Sequence, residues 1–449
     1  MHGDPTDVHA STPHLAETEQ EKTVAVVVAG AGARGAYEAG ALSVLIPWLT
    51  KHGRKPSVFV GTSAGAINAV LFAAVAHRKN QADAAQEVLD AWRSLTPHTK
   101  VFRSPCRSAL VKTLPAYLKQ VADNGHVVSL LDTTPMLKTA QTIFTPERAR
   151  QLRHNIHGKD GAVKAVAVTA TSDTERTTVF IDKREGWPVA APDPGRAIDY
   201  EFTALTTDHV LASCAIPVFF PPVTVNGRAY IDGGVRLNTP LEPAINLHAD
   251  EVVVVATHPA TYPPPDGVAR TRDAVDGVVT LLDTVLADRM VEDLHTLERI
   301  NQAVRAVGQS IRLPSTELRY VEPTFVGPTS RHELGQLAED VFDSSYGTRH
   351  PLHSIDLGLL HLFIGAREQG AGDLLSYLFF ERDFVNAAIA LGICHAQEFI
   401  RHAPAAGRPS PPPPAANRTT GRAAPPVSLV TRRRPTIVRP ARPSPRTRP

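Results

Sequence analysis

Cysteine is scarce in this chain of 449 residues: Cys106, Cys214 and Cys394 are far apart and odd in number. That excludes a disulfide framework and any Cys-x-x-Cys metal site, and it suits a reducing cytosol. Long apolar runs are missing too. The longest, such as 64–76, fall short of the roughly 20 residues a membrane-spanning helix needs. Residues 1–22 are polar and have no apolar core, so no secretory signal is expected. The expected location is cytoplasmic or peripheral to a membrane. No internal repeat is visible.

Acid is absent from one end. Between Ala405 and Pro449 there is no Asp, Glu or Lys, but there are ten arginines: Arg408, Arg418, Arg422, Arg432, Arg433, Arg434, Arg439, Arg442, Arg446 and Arg448. The formal net charge of +2 hides this asymmetry, because the rest of the chain is mildly acidic. Proline and arginine dominate 405–449, which cannot bury enough apolar surface to offset its ordering entropy and reads as a disordered tail. Residues 1–22 read as a disordered leader.

What lies between has the composition of a core, with 43% of the whole chain hydrophobic. Residues 23–29 (Thr-Val-Ala-Val-Val-Val-Ala) form a short β-branched run of the kind that makes a buried parallel strand. Gly30-Ala31-Gly32-Ala33-Arg34-Gly35 follows, then a helical run over 36–46 that is expected to stop before Pro47. A second strand, 57–60, leads into Gly61-Thr62-Ser63-Ala64-Gly65 and an Ala-rich helix over 64–77. Further helices are expected over 83–95, 206–213 and 241–248, and strands over 162–170, 177–182, 228–231 and 251–256. The segment 97–124 reads as irregular. One long helix is expected over 273–307, a strand-like stretch over 311–326, and helices again from 332 to 402. Alternating short apolar strands and helices argue for an α/β sheet covered on both faces.

Two segments carry chemistry. Gly61-Thr62-Ser63-Ala64-Gly65 is a G-x-S-x-G sequence in the strand-to-helix setting it requires. Gly61 and Gly65 let strand and helix pass closely, and Ser63 takes the strained turn. The dipole of the following helix and the Ala64 N–H favour a developing oxyanion there. The bland reading is a small-residue turn with a buried serine. The loop 30–35 is formally G-x-G-x-x-G, so it also fits a dinucleotide site and hence an oxidoreductase. That reading wants an acid at the end of the second strand, and there is no Asp or Glu between Thr50 and Gly65. A third reading is a weakly active scaffold whose arginine-rich tail binds membrane or nucleic acid. His248, His258 and His295, which follow Asp232 in the chain, leave a Ser–His–Asp triad open as well.

Taken in chain order, Gly30-Ala31-Gly32-Ala33-Arg34-Gly35, Gly61-Thr62-Ser63-Ala64-Gly65, Ala212-Ser213-Cys214-Ala215-Ile216-Pro217 and Asp232-Gly233-Gly234-Val235, with Asn238-Thr239-Pro240-Leu241 behind it, resemble the patatin-like phospholipase family. The resemblance implies a three-layer α/β fold with a mostly parallel central sheet flanked by helices. It implies a catalytic core over 23–260 and a mainly helical part, 261–404, packed on it. It further implies a Ser63–Asp232 dyad, supported by Gly61, Gly65, Gly233 and Gly234. The oxyanion hole would come from the backbone of Gly30, Ala31, Gly32, Ala33, Arg34 and Gly35 together with Ala64, and Arg34 would help to hold its loop. A phospholipid or other lipid ester is the expected substrate. No metal, no cofactor and no specific nucleic acid are expected, and 405–449 is expected to touch anionic membrane. The chain departs from the family at Ala31, where glycine is usual; alanine keeps the N–H but dislikes positive φ.

Overall fold

The computed structural model describes residues 22–102, 133–217, 219–261, 288–313, 317–346 and 369–403. The expected leader (but for Lys22), the arginine-rich tail, most of the irregular segment 97–124, the first part of the long helix over 273–307 and the middle of 332–402 lie outside the described residues.

One large sheet organises the described residues. Its strands are β1 (Val24–Val28), β2 (Pro56–Thr62), β3 (Ala165–Ser172), β4 (Thr177–Lys183), β5 (Ile198–Phe202), β6 (Val223–Val225), β7 (Arg228–Asp232) and β8 (Glu251–Val255). Two short strands, β9 (Ile311–Arg312) and β10 (Glu317–Leu318), form a separate ribbon, and β11 (Glu322–Val326) returns to the main sheet. The order is β11-β8-β1-β2-β3-β4-β5, with β7 also on β3 and β6 on β7. β1 is parallel to β2 and β8, β2 to β3, and β8 to β11, whereas β4 and β7 run antiparallel to β3. The sheet is therefore mostly parallel, as expected. The strand-like reading of 311–326 is corrected to the ribbon plus β11.

The alternation along β1 explains the layers. Val24, Val26 and Val28 join one hydrophobic cluster, and Ala25, Val27 and Ala29 join another, because successive side chains point to opposite faces. On the first face lie α1 (Gly35–Lys51), α2 (Ala64–Val75), α3 (Gln81–Ser94), α4 (Thr134–Ile143) and α5 (Pro146–His157). All twelve residues of α2 are buried, as befits an apolar helix held between sheet and helices. The short α6 (Thr207–Ser213), α7 (Gly234–Leu237) and α8 (Leu241–Asn246) frame the ends of β3, β7 and β8, and α9 (Arg289–Val307) covers the second face. The C-terminal part adds α10 (Glu333–Ser345), α11 (Gln369–Leu378) and α12 (Arg382–His402).

Pro47 does not end α1, which runs four residues further. Proline removes one backbone bond, but Leu49 beyond it is fully buried, and its packing outweighs that loss. α12 lies along α1 at backbone contact: a Cβ on Gly392 would sit 2.0 Å from Tyr37 O, and one on Gly40 2.2 Å from Ile389 O. Tyr37 OH and His395 Nδ1 are 2.8 Å apart across this seam. Among the described residues, no helix is long and apolar enough to cross a membrane.

Candidate active site

Ser63 follows the last residue of β2 and precedes α2 with φ 53° and ψ −126°, a left-handed conformation that a serine adopts only under constraint. The constraint is steric. A Cβ on Gly61 would lie 2.2 Å from Gly65 O, and one on Gly65 2.4 Å from both Val28 O and Ala29 O. Both glycines are demanded by this close passage of strand and helix. Ser63 N–H donates to Ser213 Oγ (2.8 Å), and that hydroxyl donates to Thr169 O (2.6 Å). Thr62 Oγ1 donates to Leu237 O (2.9 Å) and lies 2.6 Å from Thr169 Oγ1.

β3 brings the second residue into place. Thr62 is the last β2 residue paired with it, opposite Thr169, and Asp232 of β7 is paired with the next residue, Ala170. β7 thus continues along the edge of β3 that β2 leaves when it turns into α2. The Ser63 hydroxyl stands close enough to the Asp232 carboxylate to favour its charged form. Asp232 Oδ1 accepts the Gly234 N–H at 2.7 Å. A Cβ on Gly233 would meet Thr169 Oγ1 at 2.4 Å, so that turn needs its glycine. Asp232 is buried. Loss of solvation raises its pKa from 3.8 to about 7, while Ser63 and the bond from Gly234 pull the other way.

The glycine loop passes directly beside Ser63, with a Cβ on Gly30 falling 3.1 Å from Ser63 Cβ and 2.3 Å from Asn238 Oδ1. The conformational difficulty expected at Ala31 does not arise: its φ is −152°, and the positive φ (54°) falls on Gly32. Not all six amides of 30–35 face a ligand. Gly30 N–H donates to Asn238 O, Arg34 N–H to Ala31 O and Gly35 N–H to Gly32 O. Among the described residues, no backbone carbonyl takes the amides of Ala31, Gly32 or Ala33.

Arg34 is not a solvated loop charge. It is 1% exposed, and its guanidinium points into α11. Nε donates to Ser376 Oγ (2.6 Å), and Nη2 donates to Asp373 Oδ1 (2.8 Å) and Asp373 O (3.0 Å). The same group stacks on the Tyr377 ring, 4.1 Å from its centroid.

His248 and His295 are exposed. His258 is buried, and its Nε2 lies 3.3 Å from Tyr377 OH. Among the described residues, no group of three His, Cys, Asp or Glu side chains could hold a metal ion. Sequence reasoning assigned no role to Ser213 or Asn238, although both lie in quoted segments. It missed Asp373, Ser376 and Tyr377 altogether; their signal was three polar residues at helical spacing in an otherwise apolar run.

Among curated proteins, none matches the sequence. Solved structures that resemble the chain include VipD from Legionella pneumophila (13% identity, TM-score 0.31, covering 84% of this chain and 67% of that one). Another is human GIVD cytosolic phospholipase A2 in complex with methyl gamma-linolenyl fluorophosphonate (11% identity, TM-score 0.32, covering 84% and 60%). The chain thus spans about 60–67% of the length of these structures. A family profile described as Patatin-like phospholipase matches residues 26–245. That span takes in the glycine loop, the Ser63 turn and the Asp232 turn, and residues 26–245 are thereby identified as a patatin-like phospholipase region.

Proposed function

We propose that the protein is a serine-dependent lipid acyl hydrolase that cleaves carboxylic esters through Ser63 and Asp232. The observation that carries this reading is the placement of the two side chains together, Ser63 just past Thr62 opposite Thr169 and Asp232 opposite Ala170, with the buried carboxyl group's pKa near 7. A free carboxylate is too weak a base for serine at neutral pH, and one raised to about 7 is matched to the task. Asp232 takes the proton as Ser63 Oγ attacks the ester carbonyl. The tetrahedral oxygen is received by amides of Ala31, Gly32 and Ala33, with that of Ala64 at the start of α2. The intermediate collapses, the C–O bond to the alcohol breaks, and Asp232 returns the proton to the departing oxygen. Water, deprotonated by Asp232, then attacks the acyl-serine ester and frees the acid and Ser63. This assigns loop 30–35 to an oxyanion rather than to a dinucleotide pyrophosphate.

Wild type and Ser63→Ala should be compared on a short-chain p-nitrophenyl ester, a phospholipid panel read by mass spectrometry, and a fluorophosphonate probe. The wild type is expected to hydrolyse esters and to be labelled, and the variant to do neither. Full labelling or hydrolysis in Ser63→Ala overturns the proposal. The ten arginines of 405–449 support a peripheral, electrostatic contact with anionic lipid, at up to about 1 kcal/mol each. Removing 405–449 should then lower activity on anionic vesicles at low salt and leave the soluble ester unaffected. Equal vesicle activity with and without the segment rules the contact out.

A further inference from the structure

The oxyanion loop of the proposed hydrolase is braced from outside the family match. Residues 26–245 contain Arg34, but every side-chain partner described above for its guanidinium belongs to α11. Resting on the hydrolase reading, we infer that Asp373 is the positioning residue of the oxyanion loop: it holds Arg34, and through Arg34 the amides of Ala31, Gly32 and Ala33.

The geometry is specific. A buried guanidinium needs an anion and a full set of acceptors. Asp373 supplies a carboxylate oxygen and its own carbonyl. Ser376 Oγ, which takes Arg34 Nε, in turn donates to Asp373 O at 2.6 Å. The other carboxylate oxygen of Asp373 is 2.5 Å from His332 Nδ1, so both oxygens are held. The backbone is braced as well: a Cβ on Gly32, the residue with positive φ, would lie 2.5 Å from Tyr377 O. α10 makes room for this arrangement, since a Cβ on Gly335 would fall 2.4 Å from Asp373 Oδ1. If Asp373 is lost, a buried cation is left without its counter-charge. Arg34 must then swing toward water, and it carries the 32–34 turn with it. Amides aimed at a tetrahedral oxygen are effective only while they are fixed in place.

The test uses full-length Asp373→Leu, Asp373→Asn and Gly335→Ala. Rates on a soluble p-nitrophenyl ester are corrected for active sites by fluorophosphonate titration. An alkyl trifluoromethyl ketone, whose adduct with serine bears the oxyanion, reports on the amides alone. In Asp373→Leu, kcat is expected to fall about 10–100-fold, with KM within about threefold. The inhibition constant of the ketone is expected to rise by a factor similar to the fall in kcat. Asp373→Asn keeps an acceptor for Arg34 and should recover most of the loss. Gly335→Ala, which retains every interacting group and displaces the carboxylate, should shift both constants the same way, and it decides the matter if Asp373→Leu does not fold. Unchanged kcat and ketone affinity per active site in the folded variants overturn the inference, as does a loss confined to KM. Ser63→Ala in the same assay separates the two readings. Hydrolysis that survives in Ser63→Ala removes the hydrolase proposal; an inactive Ser63→Ala beside a fully active Asp373→Leu removes only the role of Asp373.

Discussion

Ser63 and Asp232 meet because β2 and β7 share one edge of β3, with Thr62 opposite Thr169 and Asp232 opposite Ala170. Buried there, the Asp232 carboxyl titrates near pH 7. Its activity and its stability consequences have opposite signs. As the proposed base it must be ionised, so kcat/KM should rise about tenfold per pH unit below 7 and level off above it. For stability, the folded protein binds the proton more tightly than the unfolded chain does. The stabilisation is full below about pH 4 and is lost as pH rises through about 7, amounting to a few kcal/mol at ~1.4 kcal/mol per pKa unit. Asp232→Asn should therefore lose roughly two to four orders of magnitude of activity while its melting temperature depends less on pH between 5 and 8. Thermal unfolding and ester hydrolysis across that range check both halves.

Ser213 anchors the strained residue by accepting the Ser63 N–H and donating to Thr169 O. Ser213→Ala leaves that buried amide without its acceptor, at a cost of about 1–3 kcal/mol. The expected outcome is a lower melting temperature together with a lower kcat, because φ at Ser63 is no longer fixed. A variant with wild-type values of both would show that the elbow holds itself.

Much of this site could be read from the sequence, because its demands are local. Gly61 and Gly65 are needed where a strand turns sharply into a helix, and Gly233 where β7 turns against Thr169. Such requirements leave fixed spacings. The pairing of Arg34 with α11 was not legible: an ion pair between residues 339 apart in the chain leaves no spacing that joins the two. β11 fell within the strand-like stretch 311–326, but its place in the sheet was not legible, since a strand added in parallel beside β8 depends on a neighbour distant in sequence. Pro47 misled because helix propensity is a local rule, and the packing of Leu49 is not.

Glu38 is fully buried in α1, and loss of solvation pushes its pKa well above the ordinary range, with the bond from Asn68 opposing. A raised acid stabilises fully below its unfolded pKa and loses that contribution as pH climbs toward the folded one. Glu38→Gln keeps an acceptor for Asn68 and cannot ionise. Its melting temperature should gain on that of wild type as pH rises, and equal pH dependence in the two proteins would refute the upward shift.

The seam between α1 and α12 tolerates no added atom at Gly392. Gly392→Ala would place a methyl group 2.0 Å from Tyr37 O, forcing the helices apart at about 1–3 kcal/mol or more. Because α1 begins at Gly35, immediately behind the glycine loop, ester hydrolysis should weaken along with the melting temperature. Calorimetry and the soluble-ester assay on the same preparation test this.

The distance along the chain between Arg34 and Asp373 also orders events in time. The loop leaves the ribosome early, and its anchor follows 339 residues later. At about 5–20 residues per second, the loop and the Ser63 turn exist for some tens of seconds, and the Asp232 turn for roughly ten or more, before α11 can brace them. A nascent chain is therefore expected to be inert toward the membranes around it and to gain activity only once α11 has emerged. Cell-free synthesis stalled before and after residue 378, assayed on a soluble ester, would separate silent from active chains.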